Sequence, residues 1–132
     1  EDMLSLVRML KEYAGIEKVR LTGGEPLLYP NLIQIVSGIR EMGISSIGLT
    51  TNGQLLARKA KALVDAGLKN VNLSLDSLDP EKFKKMGRVG KLNKTLEGIG
   101  ILKIVLKANG YAPFILKENK GEYQKNFSRL NW

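Results

Sequence analysis

The chain has 132 residues, enough for one domain with a buried core, and it contains neither cysteine nor histidine. These residues therefore offer no disulfide bond, thiolate nucleophile, common zinc site or histidine-based catalytic triad. The whole net charge of +8 lies in residues 81–132, because residues 1–80 hold nine basic and nine acidic side chains. A solvated basic surface is favoured over attraction of a polyanion, and nucleic-acid binding is not expected because few aromatics interleave with the lysines.

The spacing of apolar residues predicts helices and strands that alternate along the chain. Because the predicted strands are separated by helices, their connections must cross over and the sheet should be parallel. The most apolar run, residues 99–106, is interrupted by Lys103 and is too short to span a bilayer. We therefore expect a cytoplasmic protein with no membrane partner. The predicted elements are a helix from Asp2 to Gly15, a strand over 19–22, a helix from Asn31 to Gly43, a strand over 47–51, a helix over 55–67, a strand over 71–75, a short helix from Asp79–Pro80, a longer helix over 92–110 and a last strand over 114–116.

The predicted strands carry polar residues on one face and apolar residues on the other. In the third strand the alternation puts Asn72, Ser74 and Asp76 on the polar face. The first two strands show the same split, with Arg20 and Thr50 on their polar faces. Burying so many unpaired polar groups would be costly, so this face should line a lumen that holds ligand or water. An antiparallel sheet with one wet face is the alternative, and the intervening helices argue against it.

Three polar motifs follow directly after the three strands. They occupy residues 21–26 (LTGGEP), 49–53 (LTTNG) and 73–77 (LSLDS), and each is followed by a helix-like stretch. In a parallel strand–helix barrel, the strand ends meet at one rim, which is where such barrels bind ligands. A full barrel needs roughly 250 residues, so this sequence is about half of one. The predicted fold is therefore α/β, an incomplete parallel (β/α) barrel.

Each motif residue also has an interpretation without function. Paired glycines at Gly23 and Gly24 let a ligand approach the backbone, but they also occur in ordinary loops. Glu25 could accept hydrogen bonds from an ammonium group. Arg20 inside a barrel is costly unless paired, and either a phosphate or Glu25 would pair it. Ser74 could bind hydroxyls or a carboxylate, or it could be a solvated strand residue.

Taken together, residues 18–28, 48–53 and 72–80 resemble the radical S-adenosylmethionine (SAM) enzymes, over a match that runs from Leu4 to Gly98. Within them the chain is most similar to the GTP-cyclising family of molybdenum cofactor biosynthesis. The resemblance implies a partial TIM-like barrel in which a [4Fe-4S] cluster reductively cleaves SAM. The resulting deoxyadenosyl radical then abstracts hydrogen from GTP, the substrate.

The resemblance also implies roles for individual residues. Gly23, Gly24 and Glu25 would hold the methionyl part of SAM, and Ser74 would contact SAM as well. Arg20 and Thr50 would contact GTP. The family's next strand carries a substrate-binding lysine, and the nearest alignment places Ile115 at that position.

The chain departs from the family in its metal ligands. Family members carry a CxxxCxxC cluster loop and further cysteines near the C-terminus, whereas this sequence has none. We therefore expect a fragment without cluster ligands that is inert alone, with residues 1–110 forming the central part of a barrel. Residues 111–132 would be a divergent basic tail with an extra strand as an option. Another radical SAM family, or a non-catalytic nucleotide-binding or vestigial protein, stays open, as does a homodimer.

Overall fold

The computed structural model describes residues 2–74, 81, 92–110 and 126–127. These residues form strands that are joined by helices. Helices and strands alternate from Asp2 to Ser74, as the apolar spacing predicts. The elements are α1 (Asp2–Ala14), β1 (Lys18–Leu21), a 3₁₀ turn (Pro26–Leu28), α2 (Leu32–Glu41), β2 (Ser46–Thr51), α3 (Leu56–Ala66), β3 (Asn70–Ser74), α4 (Leu92–Ala108) and β4 (Asn126–Phe127).

The strands form one open sheet in the order β1-β2-β3-β4. β1 pairs parallel with β2, and Arg20 lies opposite Gly48. β2 pairs parallel with β3, and Thr50 lies opposite Asn72. The parallel α/β sheet is therefore confirmed, and its open order agrees with an incomplete barrel. β4 pairs antiparallel with β3, a pairing that the sequence analysis did not predict.

The two faces of the sheet differ in burial in the way that the alternation predicts. The apolar residues of β2 and β3 are at most 1% exposed and join the apolar sides of the helices in one core. On the opposite face Thr50, Asn72 and Ser74 are half-buried, and Arg20 is exposed. Burying the apolar face supplies most of the driving force for this layered packing. The buried strand residues are Ile47, Leu49, Val71 and Leu73.

Loop residues fix where the helices end. Gly15 ends α1 with φ +63°, and Gly67 ends α3 with φ +124°, both in the left-handed region that favours glycine. Asn31 occupies the N-cap position of α2, but its side chain makes no capping hydrogen bond. The predicted boundaries of these helices therefore agree with the structure to within two residues.

Several predictions lie outside the described residues: the helix that begins at Asp79–Pro80, the strand over 114–116 and the position of Asp76. Of the predicted basic tail, residues 111–132, the structure describes Asn126 and Phe127. Within the described ranges, none of the helices has the length and apolar character that crossing a bilayer requires.

Candidate functional site

A polar cavity of about 270 Å³ lies at the carboxyl ends of the three parallel strands. Each strand contributes, because parallel strands of similar length end at the same edge of the sheet. The cavity is smaller than the roughly 300–1,000 Å³ of typical small-molecule pockets, so it suits one end of a larger ligand. Its lining consists of Gly23, Gly24, Glu25, Thr50, Thr51, Asn52 and Ser74.

The two glycines of the first motif differ in what they require. Gly23 has φ +124°, a backbone conformation in which other residues are strained. Gly24 lies outside that region, and a Cβ atom built there would meet no other heavy atom within 4 Å. Neither backbone conformation nor protein packing therefore explains a glycine at position 24. Gly24 lines the cavity, and the space beside its Cα is open.

The Glu25 carboxylate joins the first motif loop to the second. Its Oε1 accepts hydrogen bonds from the Leu27 N–H at 3.0 Å and from the Thr51 hydroxyl. Its Oε2 accepts from the Asn52 N–H at 2.8 Å. A carboxylate has about four acceptor positions, so three donors leave it room for one more. Glu25 thus lines the cavity and also fixes its shape.

The second motif loop is held by side chains of its own residues. The buried Thr51 hydroxyl accepts from the Gly53 N–H at 3.1 Å while it donates to Glu25. The Asn52 Oδ1 accepts from the Gln54 N–H at 2.9 Å, which closes an Asx turn. Gly53 has φ +79°, the left-handed conformation that this turn requires. These contacts orient the Asn52 N–H toward Glu25 in the first loop.

Helix α4 packs directly behind this second loop. Thr95 is fully buried, and its hydroxyl donates to the Asn52 carbonyl at 3.0 Å. The Gln54 side-chain Nε2 donates to the same Thr95 oxygen at 2.6 Å. Gly98 allows the close approach, because a Cβ there would lie 3.0 Å from the Gly53 carbonyl oxygen. A helix distant in sequence therefore supports the loop that lines the cavity.

Arg20 faces a second, larger cavity of about 590 Å³ beside β1. The two cavities share Gly24 and Glu25 in their linings, so the first loop lies between them. Arg20 makes no ion pair with Glu25, whose oxygens bind other donors. The guanidinium lies over Gly48, where a Cβ would be 3.4 Å from the Arg20 Cζ.

The structure brings most of the sequence-predicted site residues together. Gly23, Gly24, Glu25, Thr50 and Ser74 line one cavity, and Arg20 lies on the same sheet face but lines the neighbouring cavity. The sequence analysis did not identify Thr95 as a part of this site. One signal was present, because Thr95 interrupts the helical row of Leu92, Ile99, Leu102 and Leu106 with a hydroxyl.

The described residues offer no place for a metal cluster. They hold no group of three or more residues that could ligate a metal ion, and the full sequence has no cysteine or histidine. A [4Fe-4S] cluster needs thiolate ligands, so these residues do not fit one. The polar cavity combines an open glycine backbone with hydroxyl, amide and carboxylate groups, which are groups that can hydrogen-bond the polar end of a small molecule.

An open, mainly parallel α/β sheet with a polar cavity at the carboxyl ends of its parallel strands is the architecture of a partial (β/α) barrel. Residues 1–129 match the sequence profile of the Radical SAM superfamily, and the chain belongs to that superfamily. Its curated relatives include GTP 3′,8-cyclases from bacteria and a probable one from an archaeon.

Three of these relatives show the extent of the similarity. The GTP 3′,8-cyclase of Limosilactobacillus fermentum is 47% identical over 97 residues, which cover 71% of this chain and 29% of the relative. The GTP 3′,8-cyclase of Alkaliphilus oremlandii is 52% identical over 86 residues, which cover 64% of this chain and 27% of the relative. The probable GTP 3′,8-cyclase of Sulfolobus acidocaldarius is 48% identical over 98 residues, which cover 74% of this chain and 31% of the relative. The chain thus spans about a third or less of the length of these relatives.

Proposed function

We propose that this chain is part of a radical SAM GTP 3′,8-cyclase, which converts GTP to the cyclic pyranopterin precursor in molybdenum cofactor biosynthesis. One observation carries the proposal: three motifs from three strands converge on a single polar cavity in a chain whose relatives are named GTP 3′,8-cyclases. In such an enzyme, SAM bound to a [4Fe-4S] cluster supplies the radical that removes hydrogen from the substrate. The residues present here bind and orient; they supply none of the cluster's ligands.

The proposed SAM-binding residues are Gly23, Gly24, Glu25 and Ser74. The open backbone at Gly24 lets the methionyl end approach the main chain closely, which a side chain would prevent. Glu25 keeps one acceptor position for an ammonium group while its other bonds hold the loop. Ser74, at the end of β3, offers a hydroxyl from the opposite side of the cavity.

The proposed GTP-binding residues are Arg20 and Thr50. Arg20 is an exposed guanidinium on the polar sheet face, and it can form paired hydrogen bonds to phosphate oxygens. Thr50 lies one strand away on the same face and lines the polar cavity. Arg20 lies opposite Gly48, two residues before Thr50, so a single GTP molecule on this face of the sheet can contact both side chains.

Two consequences follow for the chain as a whole. Without thiolate ligands, the 132-residue chain should be inert, and residues 1–110 would serve as the central part of a larger barrel. We also propose that the parent enzyme works in the cytoplasm, where GTP is available as substrate. Reconstitution with iron, sulfide and a reductant should yield no 5′-deoxyadenosine from SAM with this chain, and production of it would contradict the proposed inertness.

A non-catalytic nucleotide-binding protein is the second candidate, favoured by the absence of cysteine and histidine from the sequence. The intact mass and iron content of the native gene product separate the two. A product much heavier than 14.6 kDa that carries iron supports the cyclase, whereas an iron-free product near 14.6 kDa supports the binding protein.

The SAM site is tested most sharply by Gly24→Ala, because the added methyl group has room in the protein and would collide only with a ligand. We expect stability close to that of the wild-type chain and a SAM affinity that falls about tenfold or more, as one lost close contact costs about 1–3 kcal/mol. Nuclear magnetic resonance (NMR) titrations up to millimolar SAM and denaturant unfolding give the two readouts.

Ser74→Ala and Ser45→Ala form a matched pair for the same titration. Ser74 lines the cavity. Ser45 is exposed and directly precedes β2, at the end of that strand that lies away from the cavity. We expect weaker SAM binding for Ser74→Ala alone. Equal affinity in both variants would remove Ser74 from the site. A chain that binds SAM but not GTP would point to another radical SAM enzyme.

A further inference from the structure

Thr95 is a hydroxyl residue in an otherwise apolar row of α4. The row consists of Leu92, Thr95, Ile99, Leu102 and Leu106, and Thr95 is 0% exposed. A buried hydroxyl is costly unless its hydrogen-bonding capacity is used. Thr95 uses both of its roles on the second motif loop, as donor to the Asn52 carbonyl and as acceptor from Gln54.

The bonds of Thr95 continue through the loop to the first motif. The peptide of Asn52 is held from both sides, since its carbonyl binds Thr95 and its N–H binds the Glu25 carboxylate. Glu25 in turn fixes the loop that carries Gly24. A connected set of hydrogen bonds therefore runs from α4 through Asn52 to the glycine loop, with no step longer than 3.0 Å.

We infer that Thr95 is a positioning residue for the SAM-binding cavity, an inference that rests on the proposed function. Thr95 does not line the cavity, so it acts through Asn52 and Glu25. Losing its hydroxyl removes the donor to the Asn52 carbonyl and the acceptor of the Gln54 Nε2 hydrogen bond. The second loop then loses its support from α4, and the Glu25 carboxylate loses a fixed donor at one edge of the cavity.

Hydrogen exchange of the 132-residue chain without ligand provides the first test. Thr95→Val keeps the size of the side chain and removes both bonds, whereas Thr95→Ser keeps the hydroxyl. In Thr95→Val we expect the Asn52 and Gly53 amides to exchange about tenfold faster relative to the Leu49 amide, a change that corresponds to one lost hydrogen bond. Thr95→Ser should retain the wild-type ratio.

Leu106→Val is the control for a general loss of packing on the same helix. Leu106 is 2% exposed and belongs to the core, and its hydrocarbon side chain can make no hydrogen bond to the second loop. We expect it to lower stability while keeping the ratio of Asn52 to Leu49 exchange. Gln54→Met removes one of the two bonds from a half-buried position and replaces Thr95→Val if that variant does not fold.

A SAM titration followed by NMR provides the second test. We expect Thr95→Val to weaken SAM binding about tenfold, with Thr95→Ser close to the wild type. If the wild type binds SAM and Thr95→Val binds equally well, the positioning role is wrong and the proposed function stands. If the wild type fails to bind SAM, the residues present do not form a SAM site on their own, and the exchange ratio alone decides whether Thr95 positions Asn52. An unchanged ratio would overturn the inference in either case.

Discussion

The hydroxyl of Thr51 donates a hydrogen bond to the carboxylate of Glu25, 26 positions earlier in the chain. This bond joins the loops that follow two neighbouring strands, and the Asn52 N–H adds a second bond to the same carboxylate. Hydrogen bonds to this half-buried carboxylate are stronger than neutral ones because the acceptor is charged. The cavity therefore owes its shape to one acidic residue as much as to the strands that surround it.

Glu25→Gln should destabilise the chain by about 2 kcal/mol, because hydrogen bonds to a charged acceptor contribute about 1.5–3 kcal/mol. The glutamine amide keeps one acceptor oxygen, but its NH₂ group replaces the other. The donors that bound the replaced oxygen then have no acceptor. Glu12→Gln, on the exposed side of α1, should change stability by less than about 0.5 kcal/mol. Denaturant unfolding measures both variants, and equal stabilities would show that the Glu25 bonds contribute little.

Gly53→Ala should be more destabilising than Gly15→Ala, although both glycines have positive φ. At Gly53 a Cβ would lie 2.8 Å from the Leu73 Cδ2 and 3.0 Å from the Thr95 Cγ2, whereas at Gly15 it would meet nothing within 4 Å. Gly15→Ala should cost the conformational penalty alone, about 1 kcal/mol, and Gly53→Ala about 3 kcal/mol. Thermal or denaturant unfolding compares them, and similar losses would mean that the second loop is loosely packed.

Two glycines of α4 make a further matched pair. Alanine is the better helix former by about 1 kcal/mol, so Gly100→Ala, in open space, should stabilise the chain. A Cβ at Gly98 would lie 2.9 Å from the Leu56 Cβ and 3.0 Å from the Gly53 carbonyl oxygen, both with little freedom to move. Gly98→Ala should therefore lower stability by about 1–2 kcal/mol despite its helix propensity. A stabilised Gly98→Ala would show that α4 can shift away from the loop.

Local patterns in the sequence predict the elements and the polar face of the sheet well. The alternation in residues 71–74 identifies which side chains face the core, because successive residues of a strand point to opposite faces. Strand-end motifs predict the shared edge for the same geometric reason. The positions of Gly23, Gly24, Glu25, Thr50 and Ser74 at one cavity follow from these two rules.

Contacts between distant segments are what the sequence does not reveal. Glu25 appears in the sequence as a free carboxylate, and its donors are known only when the second loop is placed beside the first. Thr95 contacts Asn52 because of the angle at which α4 packs. The spacing of apolar residues along a helix does not predict that angle. The antiparallel pairing of Asn126 and Phe127 with β3 also depends on chain reversal rather than on local pattern.

Arg20→Ala should weaken GTP binding about tenfold or more and leave SAM binding within about twofold, because a charge-assisted bond to phosphate is worth about 1.5–3 kcal/mol. Gly48→Val should act in the same direction without removing the charge. A Cβ at Gly48 lies 3.5 Å from the Arg20 Nη2, so the larger valine displaces the guanidinium from its present place. Arg58→Ala, on an exposed part of α3, removes the same charge elsewhere and controls for nonspecific attraction of the nucleotide. Calorimetric titrations of the chain with GTP and with SAM give both affinities.

If Arg20→Ala lowers the two affinities equally, Arg20 supports the fold of the first loop rather than the substrate. If Arg58→Ala weakens GTP binding as much as Arg20→Ala does, the attraction comes from the net charge of +8 and not from a site on the sheet.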